Sequence, residues 1–136
     1  MIVALLAAAV AATAPVGNVD ASALQGHWAL IRMGPDQFLP SDRSDLTLDG
    51  AKISGRAFCN SYWSQKYKLD KDRLVAIDTG QTSAACYRDD PKARDPMKDE
   101  YEFLTVVFGK PAIELKGDLL FLHGGHNELE FMRLKP

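Results

Sequence analysis

The chain has 136 residues, with 16 Lys and Arg against 18 Asp and Glu and a formal net charge of −2. That balance supplies no electrostatic footprint for nucleic acid or for an anionic membrane surface, and the length suits one small domain. Only two cysteines occur, Cys59 and Cys86, and they lack the Cys-x-x-Cys spacing of structural zinc.

From Ile2 to Ala12 every residue is Ala, Val, Leu or Ile, and no acidic residue precedes Asp20. This is the apolar stretch of a secretory signal, although no Lys or Arg stands before it. A membrane span needs roughly 20 apolar residues, and Thr13, Pro15, Gly17 and Asn18 end the run too early. Residues 1–23 therefore read as a signal peptide, with cleavage expected after Ala21 or Ala23, and residues 24–136 as the exported domain without a transmembrane span. Pro15 argues against the alternative site at Ala14. The periplasm or the extracellular space follows as the expected compartment.

Leu24 to Met33 alternates, with Trp28 and Leu30 on one side, and predicts a first strand. Gly34, Pro35 and Pro40 mark a loop. Leu46–Leu48 and Lys52–Phe58 flank Asp49-Gly50, a pair that favours a tight hairpin because glycine tolerates positive φ. Tyr62–Leu69 and Leu74–Ile77 flank a polar tetrad and predict a second hairpin. Residues 112–116, 119–123 and 128–134, separated by Gly117-Asp118 and by Gly124–Asn127, predict a three-strand meander.

One segment departs from this pattern. Asp95-Pro96 places a good N-cap before a proline at the first helical position, where a missing N–H costs nothing. Met97, Tyr101, Leu104 and Phe108 follow as a helical stripe expected to cover a sheet, and Gly109 and Pro111 end it. Strands with one helix fit a small antiparallel β-barrel that the helix closes or flanks.

An exported chain with two cysteines points to a Cys59–Cys86 disulfide, which on the chain-entropy estimate would stabilise by roughly 3 to 4 kcal/mol. Two buried free thiols are the alternative.

The ordered set formed by Leu24-Gln25-Gly26-His27-Trp28, Ser54-Gly55 leading to Cys59-Asn60, a tyrosine-bearing strand, Thr82–Cys86, the acidic helix and Gly117-Asp118-Leu119-Leu120 resembles the META or HslJ-like domain. The resemblance runs from about Leu24 to Leu134. Phe58 stands where a glycine commonly precedes the Cys-Asn pair. The resemblance implies a lipocalin-like or cracked antiparallel β-barrel, export to the bacterial envelope and an association with stress responses. It carries no catalytic residues to this chain.

No GxSxG elbow, HExxH or P-loop occurs. His123 and His126 flank Gly124-Gly125 with Glu128 and Glu130 beyond, but these read as a hairpin turn and not as a metal site. Asn60 reads as an Asx turn or a ligand-facing amide. Strict alternation puts Trp63 and Tyr67 on one face and Tyr62 on the other; Asn60, Trp63 and Tyr67 are the candidate residues for a ligand or partner surface. The expectation is a non-catalytic, monomeric envelope protein that uses no cofactor or metal and binds a partner protein or a small apolar ligand. The alternative is a small periplasmic hydrolytic enzyme whose site is scattered in sequence.

Overall fold

A computed structural model describes residues 19–41 and 43–135. The apolar stretch read as a signal peptide lies outside the described residues. The elements are α1 (Ala21–Leu24), β1 (Gly26–Met33), β2 (Asp36–Gln37), β3 (Asp45–Asp49), β4 (Lys52–Ala57), β5 (Asn60–Asp70), β6 (Arg73–Gln81), α2 (Pro96–Val107), β7 (Ala112–Lys116), β8 (Leu119–His123) and β9 (Glu128–Leu134). All strand pairs are antiparallel, in the order β2-β1-β3-β4-β5-β6-β7-β8-β9, and a further β1–β9 pairing closes the sheet into a ring.

The hairpin at Asp49-Gly50 forms as predicted: Asp49 pairs with Lys52, and Gly50 takes φ 59°. The second hairpin is longer than predicted, because Tyr62 pairs as far out as Gln81. The meander falls on the predicted residues. Two short elements were not expected. A single helical turn, α1, adds a second helix where one was predicted, and β2 occupies the Gly34–Pro40 loop, with Arg32 and Met33 of β1 pairing to Gln37 and Asp36.

The α1 turn is capped by Asp20, whose carboxylate accepts from Ser22 N–H at 2.9 Å. It buries Leu24, whose carbonyl accepts from the Trp28 indole at 2.9 Å. Arg133 then donates to the carbonyls of Gln25 and Ala23 and lies over the Trp28 ring. Gln25 completes this end: it exchanges hydrogen bonds with the backbone of Gly50 and donates to the Tyr67 hydroxyl at 3.0 Å. One rim of the ring is thus sealed by side chains that satisfy each other and the turn backbones.

Side chains fill the interior. Trp28, Tyr62, Phe103 and Phe131 are fully buried, and Phe103 of α2 meets Tyr62, Phe131 and Phe58 edge-on at ring distances of 5.5, 6.0 and 6.3 Å. Such edge contacts add about 0.5–1.5 kcal/mol each beyond burial. The β6–β7 pairing consists of one residue pair, Arg73 with Ala112, and α2 lies in the chain between those two strands. The buried face of α2 corrects half of the predicted stripe: Leu104 is buried and Phe108 packs against the core, but Met97 and Tyr101 are exposed, and the other inward positions are Asp99, Glu100, Phe103, Val106 and Val107. Two acidic residues open that face, so its hydrophobic period is hidden in the sequence.

The alternation of β5 also departs from the reading. Tyr62 and Tyr67 are both buried and Trp63 points outward. The parity slips at Gln65 and Lys66, which are both exposed. Ser64 absorbs the irregularity: its hydroxyl accepts from Ile77 N–H and lies 2.7 Å from the carbonyls of Lys66 and Ile77, beside Asp78 at φ 53°.

Candidate functional site

Cys59 and Cys86 are joined in a disulfide with Cα atoms 5.8 Å apart. The bridge links the β4–β5 turn to the long segment between β6 and α2. Asn60 strengthens the same seam. Its amide oxygen accepts from Ala84 N–H at 2.8 Å and from the Thr82 hydroxyl at 2.9 Å, and its amide nitrogen donates to the Ala84 carbonyl at 3.0 Å. The side chain thus mimics a backbone strand partner. It is 2% exposed and spends its donors and acceptors on residues 82–84.

The predicted surface of Asn60, Trp63 and Tyr67 is therefore corrected. Asn60 holds a loop, Tyr67 is buried against Gln25, and Trp63 lies on the outside of the ring over Gly80, where a Cβ would collide with its indole. The left-handed backbone sits two residues earlier than the Asx-turn reading placed it. Phe58 takes φ 62°, and its N–H donates to both Arg43 O and Ser44 Oγ at 3.1 Å.

Beside the bridge lies an open cleft of about 760 Å³. Its floor is Leu30, Phe38 and Phe58, and Leu39 and Tyr87 stand at its edges. Phe38 packs edge-on against Phe58 at 5.4 Å. Leu39 and Tyr87 are 87% and 88% exposed, so two large apolar side chains are held out in water at one place. Tyr87 directly follows Cys86 and Phe58 directly precedes Cys59, so the disulfide fixes the spacing of two lining residues.

The third wall is charged. Arg94 grips Asp99 with two hydrogen bonds, at 2.8 and 2.9 Å, reaches Asp36 at 3.2 Å, and lies 4.7 Å over the Phe38 ring. The Asp99 hydrogen bond, with Asp36 assisting, outweighs desolvation and raises the Arg94 pKa further. Planar, bidentate pairing of this kind orders a loop as well as neutralising charge. Asp89, Asp90, Ala93 and Arg94 of the segment before α2 thus form a cleft wall. Arg88 supports the loop by donating to the Ala93 carbonyl at 2.9 Å.

Other polar groups lie elsewhere. His27 meets Asp45 at 2.6 Å, and that carboxylate also accepts from Arg56 N–H at 2.7 Å. Tyr62 donates to the Asp45 carbonyl at 2.6 Å, and burial, with Asp45 nearby, holds its phenol well above the ordinary value. His123 closes β8, not a turn, and sits between Glu128 at 3.0 Å and Glu114 at 3.3 Å. Among the described residues no group of three or more His, Cys, Asp or Glu side chains is arranged to hold a metal ion, and no helix is long and apolar enough to cross a membrane.

A closed antiparallel ring, filled by its own side chains and a helix, with a disulfide-braced apolar cleft at one rim, defines a class of small β domains. The chain belongs to the META domain family, whose family model matches residues 21–136. Two solved structures share the fold. One, titled only as the NMR structure of a protein, is 17% identical, covers 85% of this chain and 95% of its own, and has a TM-score of 0.68. The other, an NMR structure of a protein from Burkholderia xenovorans, is 20% identical, covers 85% and 87%, and has a TM-score of 0.62. No curated protein matches the chain in sequence.

Proposed function

We propose that this META domain is a non-catalytic protein of the bacterial envelope, exported to the periplasm or secreted, that seats an apolar segment of a partner protein in the disulfide-braced cleft. The observation that carries this reading is the pair Leu39 and Tyr87, held almost fully exposed above the floor of Leu30, Phe38 and Phe58. Fully burying one such side chain is worth about 1.5–3 kcal/mol, so a partner gains most at this rim. The interior is occupied by Trp28, Tyr62, Phe103 and Phe131, which favours an occupant at the rim over one inside the ring. Export accords with the apolar N-terminal stretch and with the disulfide. The stress association implied by the family resemblance belongs to the same reading.

A small apolar ligand is the second occupant to test, because the cleft volume falls in the range of about 300–1,000 Å³ typical of ligand pockets. A photo-crosslinking residue at Leu39 or Tyr87 is expected to capture a discrete partner from the bacterial envelope, and the same residue at Trp63 is not. Equal capture from all three positions, or none from the cleft, overturns the reading. A crosslink to lipid or to another small molecule selects the second occupant. A hydrolytic role would require turnover that survives replacement of Leu39 and Tyr87 by serine.

A further inference from the structure

Along the edge of β1 opposite β9, Gly26–Ala29 pair with β3 and Arg32 and Met33 pair with β2, so β2 and β3 follow one another on the same side. β3 is covered in turn by β4. That ladder ends where Ser44 bridges Ala57 and Phe58 N–H meets Arg43 O, because the chain turns back at Phe58 and Cys59 into β5. Beyond that end, in line with β4 and beside β2, no strand follows among the described residues. The cleft opens at this position: Gln37, Phe38 and Leu39 line it together with Phe58 and Tyr87.

The peptide groups of β2 show what the position accepts. Phe38 N–H donates to Ile31 O at 2.9 Å and Asp36 pairs with Met33, so residues 36 and 38 turn their peptide groups toward β1. Gln37 and Leu39 therefore turn theirs outward, about 7 Å apart along the chain, and no described residue pairs with them there. Leu39 precedes Pro40, which favours the extended backbone that keeps the row straight. An edge of alternating N–H and C=O groups carries alternating partial charge, and the complementary pattern is that of another main chain. A lipid tail or a lone apolar side chain leaves those groups unsatisfied.

We infer that the partner's apolar segment enters this position as an extended strand, bonding through its main chain to Gln37 and Leu39. Side chains alternate across a strand, so every second residue of the segment lies on the floor of Leu30, Phe38 and Phe58. The inference deepens the partner-cleft reading and rests on it.

The probe is a seven-residue peptide selected from a random display library on the full disulfide-bonded chain, then synthesised with one N-methyl group at each position in turn. Its sequence is expected to place apolar residues at every second position, and its binding to shift the Phe58 and Tyr87 amides and to protect the Gln37 and Leu39 amides from exchange. N-methylation is expected to weaken binding about tenfold or more at alternate residues and by less than about threefold at those between, since one edge of an added strand faces solvent. Gln37→Pro removes an outward donor while sparing the bond from Phe38 to Ile31, and is expected to cost about tenfold where Gln37→Ala costs less than about threefold. Retained protection of the Phe38 amide shows that the edge is still formed. Should Gln37→Pro disturb β2, the N-methyl series decides on the unaltered chain. A peptide that shifts Phe58 and Tyr87 but tolerates N-methylation equally at every position overturns the strand and leaves the cleft as a partner site. Selection of no peptide that shifts those two amides overturns both. A chain that sediments as a dimer and is dissociated by the peptide assigns the edge to a second copy and overturns the proposal.

Discussion

The two rims of the ring are finished by different physical means. At the sealed rim, Trp28 and Arg133 satisfy the carbonyls of Ala23, Leu24 and Gln25, while the Gln25 side chain bonds the Gly50 backbone and the Tyr67 hydroxyl; the positive φ of the β3–β4 turn falls on a glycine, Gly50. At the cleft rim a covalent bond ties two segments together, a positive φ falls on a non-glycine, Phe58, and large apolar groups stay in water. The sealed rim is finished by local satisfaction and the cleft rim by constraint. A surface kept unsatisfied and braced is one that a binding partner can complete.

The bridge offers the largest test of that contrast. Replacing Cys59 and Cys86 together by serine opens a loop of 27 residues, and the expected loss is about 3 kcal/mol in denaturant titration. Hydrogen exchange should show where the loss falls. Thr82 N–H, which donates to Ser61 O, and Ala84 N–H, which donates to Asn60, should lose protection well before Arg133 N–H, which donates to Asp118 O at the sealed rim. A uniform loss at both rims would erase the distinction. The sealed rim has its own probe in Gln25→Ala, which leaves Gly50 N–H and the Tyr67 hydroxyl without their partner. About 1–3 kcal/mol is expected, with cleft binding unchanged.

These effects separate what was legible in the sequence from what was not. The hairpin at Asp49-Gly50, the helix start at Asp95-Pro96 and the C-terminal meander rest on local chemistry, and each formed where its residues placed it. The cysteine pairing was legible because only one partner choice exists. The cleft was not, because Phe38, Leu39 and Tyr87 sit in loops where no period marks a face. The inward side of α2 was masked by Asp99 and Glu100, whose burial depends in one case on an arginine five residues upstream. Tyr67 was assigned to the wrong face because Ser64 replaces ladder hydrogen bonds with its hydroxyl, an event without a sequence signature.

A smaller effect should appear with acid. Arg32 joins Glu128 at 2.7 Å and Glu130 at 2.8 Å across the β1–β9 seam, at the end of β1 nearer the cleft. Burial alone would raise the Glu128 carboxyl, but hydrogen bonds from Arg32 and His123 outweigh it and hold the carboxyl below its ordinary value of 4.5. A carboxyl depressed in the folded state contributes fully above the unfolded value, and that contribution is lost as pH falls through the folded one. Stability should therefore fall as pH drops below the ordinary carboxyl value of 4.5, and Glu128→Gln should flatten the drop. The contrast between rims predicts that protection near Met33 and Leu129 fades first on acidification. Simultaneous loss near His27 and Leu134 would argue against it.

Phe58 carries the sharpest test of purpose. A left-handed non-glycine backbone costs about 1–2 kcal/mol, and Phe58→Gly removes that cost. The same substitution removes edge contacts with Phe38 and Phe103, worth about 0.5–1.5 kcal/mol each. Burial of the ring against the core is lost as well, worth up to about 1.5–3 kcal/mol, so the variant should lose about 1–3 kcal/mol net and stay folded. Binding should lose more, because the ring forms part of the cleft floor. Crosslinking from Tyr87 in the Phe58→Gly background should fall at least several-fold under conditions where denaturant titration shows the variant folded. If the variant gains several kcal/mol and still captures the partner, the strain at Phe58 serves neither packing nor binding, and the cleft rim loses its claim to be the functional one. If the variant is folded and capture fails, an aromatic ring in a glycine-like conformation is there for its surface. The disulfide and the paired bonds to Arg43 and Ser44 are then what keep it in place.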